Sequence, residues 1–168
     1  MESFEEYSPA VIKLYGEHAV VKGGTSAGMP LSIFAYAECK LNAAKSLKVN
    51  LLDFKESMDF SEEELKGIFE DYSKMEINGF ISKYESLGIA GTMLAYATIA
   101  SRLDSLEIPV IGRTVSVKSD IPMQKGLGSS AACNSAFAQV LISASGMRLK
   151  DDVAVDVIRD GERIAHKN

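Results

Sequence analysis

At 168 residues, 46% hydrophobic and 24% charged, the chain has the length and mixture of one folded domain with a real core, far from disordered or low-complexity compositions. A net charge of -5 argues against nucleic-acid binding as the main function, because neutralising phosphates needs clustered Lys and Arg, but it leaves room for a local basic pocket. Cys39 and Cys133 stand at no metal or disulfide spacing, MESFEEYSPA lacks an apolar leader, and no stretch approaches the ~20 apolar residues of a membrane span; the expectation is a cytoplasmic protein without nucleic acid or membrane as partner.

In chain order, residues 7–15 (YSPAVIKLY) read as a strand broken by Gly16 and the glycine-rich KGGTSAG at 22–28. Apolar and aromatic residues suggest further strands over 30–40 and 46–54. Ser61-Glu62-Glu63-Glu64 is a capping-box pattern, in which the Ser hydroxyl takes one free amide and Glu64 reaches back to another. The helix it opens sets Leu65, Ile68, Phe69 and Tyr72 on one face. A second helix, roughly 86–103, is expected from the spacing of Ile89, Met93, Tyr96, Ala100 and Leu103. Pro109 opens a strand in which Ile111, Val115 and Val117 alternate with small polar residues. A small-residue helix follows from Ser129 to about Ser145, ending at Gly146, and a last helix covers about 151–165. Strands and helices mix without strict alternation and without an internal repeat or linker, which points to an α+β layer arrangement.

The most informative stretch is Lys125-Gly126-Leu127-Gly128-Ser129-Ser130-Ala131-Ala132. Glycines let a backbone turn tightly and approach a ligand, and the following helix aims free amides and its positive dipole end at the same place. Two hydroxyls in the first turn add donors or a magnesium ligand. The result is an anion cradle suited to nucleotide phosphates. A Walker A loop would end in Gly-Lys-Ser/Thr, which is missing; a dinucleotide fingerprint would need an acidic residue about 20 positions on, where the last helix begins instead. A plain glycine turn before a capped helix remains the alternative for this loop by itself.

Other segments decide between these. Leu14-Tyr15-Gly16-Glu17-His18-Ala19-Val20-Val21, together with Ser8-Pro9, resembles the first motif of the GHMP kinases, the galactokinase, homoserine, mevalonate and phosphomevalonate kinase superfamily. Pro122 to Ala132 resembles its phosphate-binding motif, and Gly161-Glu162-Arg163-Ile164-Ala165-His166-Lys167-Asn168 resembles a segment that carries a magnesium-binding Glu in mevalonate kinases. The resemblance implies a GHMP amino-terminal domain over residues 1–168, similar to ribosomal protein S5 domain 2, with a mixed sheet backed by helices and a left-handed crossover. It implies transfer of the ATP γ-phosphoryl group, with Mg2+, to the alcohol of mevalonate or a close relative in isoprenoid-precursor synthesis. By position, Gly126, Leu127, Gly128, Ser129 and Ser130 would wrap the ATP phosphates, with Lys125 steering them and Ser119 near the nucleotide. Ser130 and Glu162 would contact the metal, and Glu17 and His18 would lie near the acceptor. His166, near a helix end, is left outside the expected site. A homodimer is compatible with the same resemblance.

The pattern departs in two places. Mevalonate kinases usually carry Pro-Gly-Lys in the first motif; here Pro9-Ala10-Val11 stands there, and Lys13, two residues on and ~6.6 Å away on the same strand face, is the candidate catalytic cation. Ala10-Val11-Ile12-Lys13 also resembles the same strand in diphosphomevalonate decarboxylases, so the acceptor stays open among mevalonate, phosphomevalonate, a sugar and homoserine. The resemblance further implies a carboxy-terminal domain with a catalytic Asp, both beyond Asn168, so residues 1–168 by themselves are expected to be inactive. A non-catalytic nucleotide-binding fragment and an RNA-binding use of an S5-like fold are the rival readings, the second opposed by the acidic balance.

Overall fold

A computed structural model describes residues 2–16 and 23–166. The elements run β1 (Ser3–Tyr15), β2 (Ala27–Leu41), β3 (Ser46–Leu51), β4 (Glu56–Ser61), α1 (Glu62–Lys74), α2 (Ile77–Ser86), α3 (Gly91–Ser105), β5 (Arg113–Ser119), α4 (Ser129–Ser145) and α5 (Asp151–His166). Among the described residues the strands form one mixed sheet in the order β1-β2-β5-β3-β4, in which β3 and β5 pair in parallel and the other neighbours antiparallel. The α+β expectation holds.

Alternation along the strands decides which face is covered. Ala35, Ala37 and Cys39 of β2, Leu47, Val49 and Leu51 of β3, and Val115 and Val117 of β5 all point into the core. α4 lies across β1, β2 and β5 on that face. α3 is packed between α1, α4 and α5, and is buried from Met93 to Ser101 without interruption. A helix apolar on every side belongs inside, and here Tyr96 of α3 meets Phe137 of α4 with ring centroids 4.5 Å apart. Arg113 shares the inward side of β5 with Val115 and is buried. Its guanidinium donates to the carbonyls of Pro109 and Ala144, the latter in the last turn of α4, where the dipole end is negative.

The capping box forms as expected: Ser61 Oγ accepts from the Glu64 amide at 3.2 Å, and Glu64 Oε2 accepts from the Ser61 amide at 2.7 Å. Other boundaries differ from expectation. The strand expected over 46–54 stops at Leu51, and a turn over 52–55, with Lys55 at φ +55°, returns the chain as β4. The helix expected over 86–103 is α3, which starts later, and α2 before it was not anticipated. α2 ends at Ser86, Gly88 turns at φ +83°, the Ile89 amide closes on the Tyr84 carbonyl at 2.8 Å, and α3 starts at Gly91. Ile89 therefore precedes the helix. The strand expected from Pro109 begins at Arg113, after Gly112 turns at φ +76°.

Candidate active site

The glycine loop follows directly from β5 and is fixed at both ends. Ser119, the last residue of β5, donates its amide to Asp53 Oδ2 at 2.7 Å, and its hydroxyl accepts from the Ile121 amide at 3.1 Å. Gly126 and Gly128 both sit at φ +71°, a conformation L side chains rarely adopt, with open space where each Cβ would be. Between them Leu127 anchors the loop. Its carbonyl accepts the Val11 amide of β1 at 3.0 Å, and its side chain packs with Ala10, Ala35, Ile121 and Ala132. Gly128 is the residue before α4 and offers no side-chain cap, so the first-turn amides of α4 are left available to a ligand.

Beside this loop opens a cleft of about 640 Å³. Ser119, Lys125, Gly126, Leu127, Gly128, Ser129, Ser130 and Glu162 all line it, so the structure gathers these predicted residues into one site. Ser129 Oγ and Ser119 Oγ are 3.4 Å apart. Ser130 Oγ donates to Glu162 Oε1 at 2.8 Å, joining the first turn of α4 to α5 across 32 positions of sequence. Lys13 is exposed on β1 and is not part of the cleft wall. Glu17 and His18 lie outside the described residues.

Three consecutive residues of α5 explain how Glu162 comes to face the loop. Asp160 ties the helix down, accepting from Tyr72 of α1 at 2.7 Å and from Arg102 Nε of α3 at 2.9 Å. Gly161 lets α5 press against Ile99 of α3. Glu162 then projects into the cleft, its side chain 23% exposed.

Residues not anticipated from sequence complete the wall. Asn134 Nδ2 donates to Glu162 Oε1 at 2.6 Å, and His166 Nε2 stands 3.3 Å from Glu162 Oε2, so both line the cleft beside that carboxylate. Asp53, Tyr96 and Cys133 line the cleft as well. Burial pushes the Cys133 thiol up, against the lowering effect of hydrogen bonds with Ser119 and Tyr96. Burial likewise drives the Tyr96 phenol well above its ordinary value. The loop itself presents backbone donors, the hydroxyls of Ser129 and Ser130, and Lys125 to the cleft.

Among the described residues, no three His, Cys, Asp or Glu side chains converge as a metal-binding group. The Ser130 hydroxyl and Glu162 carboxylate do form a pair of hard oxygens next to an anion cradle. That fits magnesium, which commonly takes one or two protein oxygens and fills its octahedron with water and phosphate. Among the described residues no helix is long and apolar enough to cross a membrane.

Residues 90–168 match the family model described as GHMP kinases N terminal domain. The mevalonate kinase of Methanocaldococcus jannaschii is 29% identical over 146 residues, covering 86% of this chain and 42% of that protein. The mevalonate kinase of Thermococcus gammatolerans is 31% identical over 150 residues, covering 86% and 40%. The crystal structure of the Methanococcus jannaschii mevalonate kinase matches with a TM-score of 0.75 at 24% identity, over 99% of this chain and 48% of that one. Lactococcus lactis galactokinase complexed with galactose matches with a TM-score of 0.75 at 19% identity, over 98% and 39%. At these identities the two structures establish the fold. The chain thus spans about two fifths of the length of the curated relatives it matches.

Proposed function

The chain belongs to the GHMP kinases through the amino-terminal domain of that family, and from that membership we propose that it is the nucleotide-binding part of an ATP-dependent kinase acting on mevalonate. The observation that carries this reading is the Ser130–Glu162 pair, 2.8 Å apart, set against a glycine loop in one cleft. The relatives at 29–31% identity, all mevalonate kinases, favour mevalonate over a sugar or homoserine as acceptor.

In the proposed mechanism the loop 126–130 holds the triphosphate with backbone amides and the hydroxyls of Ser129 and Ser130, helped by the positive end of α4. Ser130 and Glu162 would hold magnesium, which neutralises charge between the β- and γ-phosphates when bound. Lys125 raises the local concentration of the anionic nucleotide. Asp53, Tyr96 and Cys133 complete the cleft wall. Lys13 is proposed as the cation of the reaction centre, with Glu17 and His18 beside the acceptor. Catalysis of phosphoryl transfer is then mostly positioning and charge stabilisation.

Two measurements test this. ATP with magnesium, added to 15N-labelled 1–168, should shift the amides of Gly126 to Ser130, and Ser130→Ala should weaken the magnesium-dependent part. The protein purified as its gene encodes it is then offered mevalonate, phosphomevalonate, galactose and homoserine with ATP and magnesium. Mevalonate-dependent ADP release is expected; release dependent on galactose instead overturns the acceptor, and a loop untouched by millimolar ATP overturns the site.

A further inference from the structure

Glu162 Oε1 accepts two hydrogen bonds at once, from Ser130 Oγ at 2.8 Å and from Asn134 Nδ2 at 2.6 Å. The donors stand one turn apart on α4, so they rise from the same helix face. They differ in setting. Ser130 lines the loop and is half-buried, whereas Asn134 is 2% exposed, sunk between α3, α4 and α5. An amide so deeply buried is costly unless its bonds are made, and its side-chain bond goes to the carboxylate. Gly161 closes the arrangement, since a Cβ there would lie 3.4 Å from Asn134 Nδ2 and inside contact distance of Ile99.

Resting on the reading of Ser130 and Glu162 as metal contacts, we propose that Asn134 is a positioning residue, whose amide fixes Glu162 Oε1 so that the carboxylate stays aimed at the nucleotide cleft. Ser130 cannot do this alone. A hydroxyl that turns its lone pair toward a cation gives up its proton's bond to Oε1 or bends it, and Asn134 goes on holding that oxygen. In this role Asn134 acts through Glu162, to which its amide is bonded. Partners of this kind behind a metal-binding carboxylate are worth roughly 10–100-fold in metal affinity.

The test uses Mn2+ as the magnesium probe with 15N-labelled 1–168 and ATP. Substoichiometric Mn2+ should broaden the amides of Ser129, Ser130 and Glu162 in the wild type. Asn134→Leu, which keeps the volume and loses the donor, and Asn134→Ala should each need about tenfold more Mn2+ for the same broadening. The shifts that metal-free ATP causes at Gly126 and Gly128 should change less than about twofold, and a merely structural role for Asn134 would not separate the two readings. Equal Mn2+ demand in wild type and in both variants overturns the role of Asn134 and leaves the site standing. Wild type that binds ATP without broadening by Mn2+ overturns the metal reading and this inference with it. If both variants unfold, the wild type decides. Its Asn134 side-chain amide should exchange slowly with solvent and do so at least tenfold faster in Glu162→Gln; an unchanged rate overturns the proposal.

Discussion

Gly161 of α5 and Ile99 of α3 meet so closely that a Cβ at position 161 would lie 2.5 Å from Ile99 Cδ1 and 2.8 Å from Cγ1. Ile99 is fully buried, so it has little room to withdraw. By helix propensity alone, Gly161→Ala would stabilise by about 1 kcal/mol. The contact should reverse that sign and give a net loss of about 1–2 kcal/mol through overpacking. Urea unfolding of a double-mutant cycle checks the cause. Ile99→Val should cost about 1 kcal/mol in the wild type and markedly less beside Gly161→Ala. Additive effects would mean that the two helices do not compete for that space.

Gly128 and Gly146 bracket α4, at φ +71° and +68°, each with open space where a Cβ would go. Alanine at either position therefore pays the left-handed penalty of about 1 kcal/mol without a clash. The two ends differ only in surroundings, because Gly128 lines the cleft and Gly146 does not. Gly128→Ala should lower ATP affinity about tenfold on top of the stability loss, as the new methyl obstructs phosphate approach. Gly146→Ala should lose stability and keep its affinity. Thermal unfolding and ATP titration of the two variants side by side make the comparison, and equal affinities would remove the phosphates from this loop.

Tyr72 hydrogen-bonds to Asp160, and its phenol is pushed from 10.0 up to about 12, by burial first and then by that bond and the carboxylate's charge. Burial also raises Tyr84 and Tyr96. A phenol with a raised folded value keeps its proton in the native state after the unfolded state has released it. Its contribution to stability is therefore complete below pH 10 and is lost as pH rises from about 10 to about 12. Unfolding free energies measured between pH 9 and pH 12 should fall across that window, and Tyr72→Phe should fall less steeply. An identical slope in Tyr72→Phe would remove the tie between α1 and α5 from the cause.

What was legible from residues alone tracks how local the determinant is. Helix α4 was read at its true bounds because both ends are marked by glycines that the backbone needs in a left-handed conformation. The Ser61 capping box was legible for the same reason, since its partners are three residues apart. Strand β4 was not, because Glu56–Ser61 places only Phe60 in the core and owes its form to pairing with β3. The start of α3 was misplaced because Ile89 keeps helical spacing with Met93 and Tyr96, although Gly88 and Gly91, both at positive φ, turn the chain before the helix begins. In the site, the glycine loop and Glu162 were found through motifs. Asn134 carried only a faint signal, one turn beyond Ser130 on a small-residue helix. Asp53 carried none, since Ser119 stands 66 positions away.

β1 passes the glycine loop at Val11, whose amide is bonded to the Leu127 carbonyl, and Val11 is the position at which the family resemblance implies a lysine. Two residues further along the same strand is Lys13, paired with Gly28 just before an irregularity in the β1–β2 register. The ammonium has a flexible four-carbon stem and an exposed position, so it can lean over the loop without disturbing the core. Lys13→Met should therefore cut turnover by about 10²–10³, the loss expected when a charge that stabilises the transition state is removed. It should change stability by less than about 0.5 kcal/mol, as a surface substitution does. Val11 is 38% exposed and can give way to a longer side chain. The double variant Lys13→Met, Val11→Lys should then recover part of the lost turnover by returning the cation to the position beside Leu127. Normal turnover in Lys13→Met would sink the assignment. Loss in Lys13→Met with no recovery in the double variant would keep Lys13 in the mechanism and place its charge where Val11 cannot deliver it.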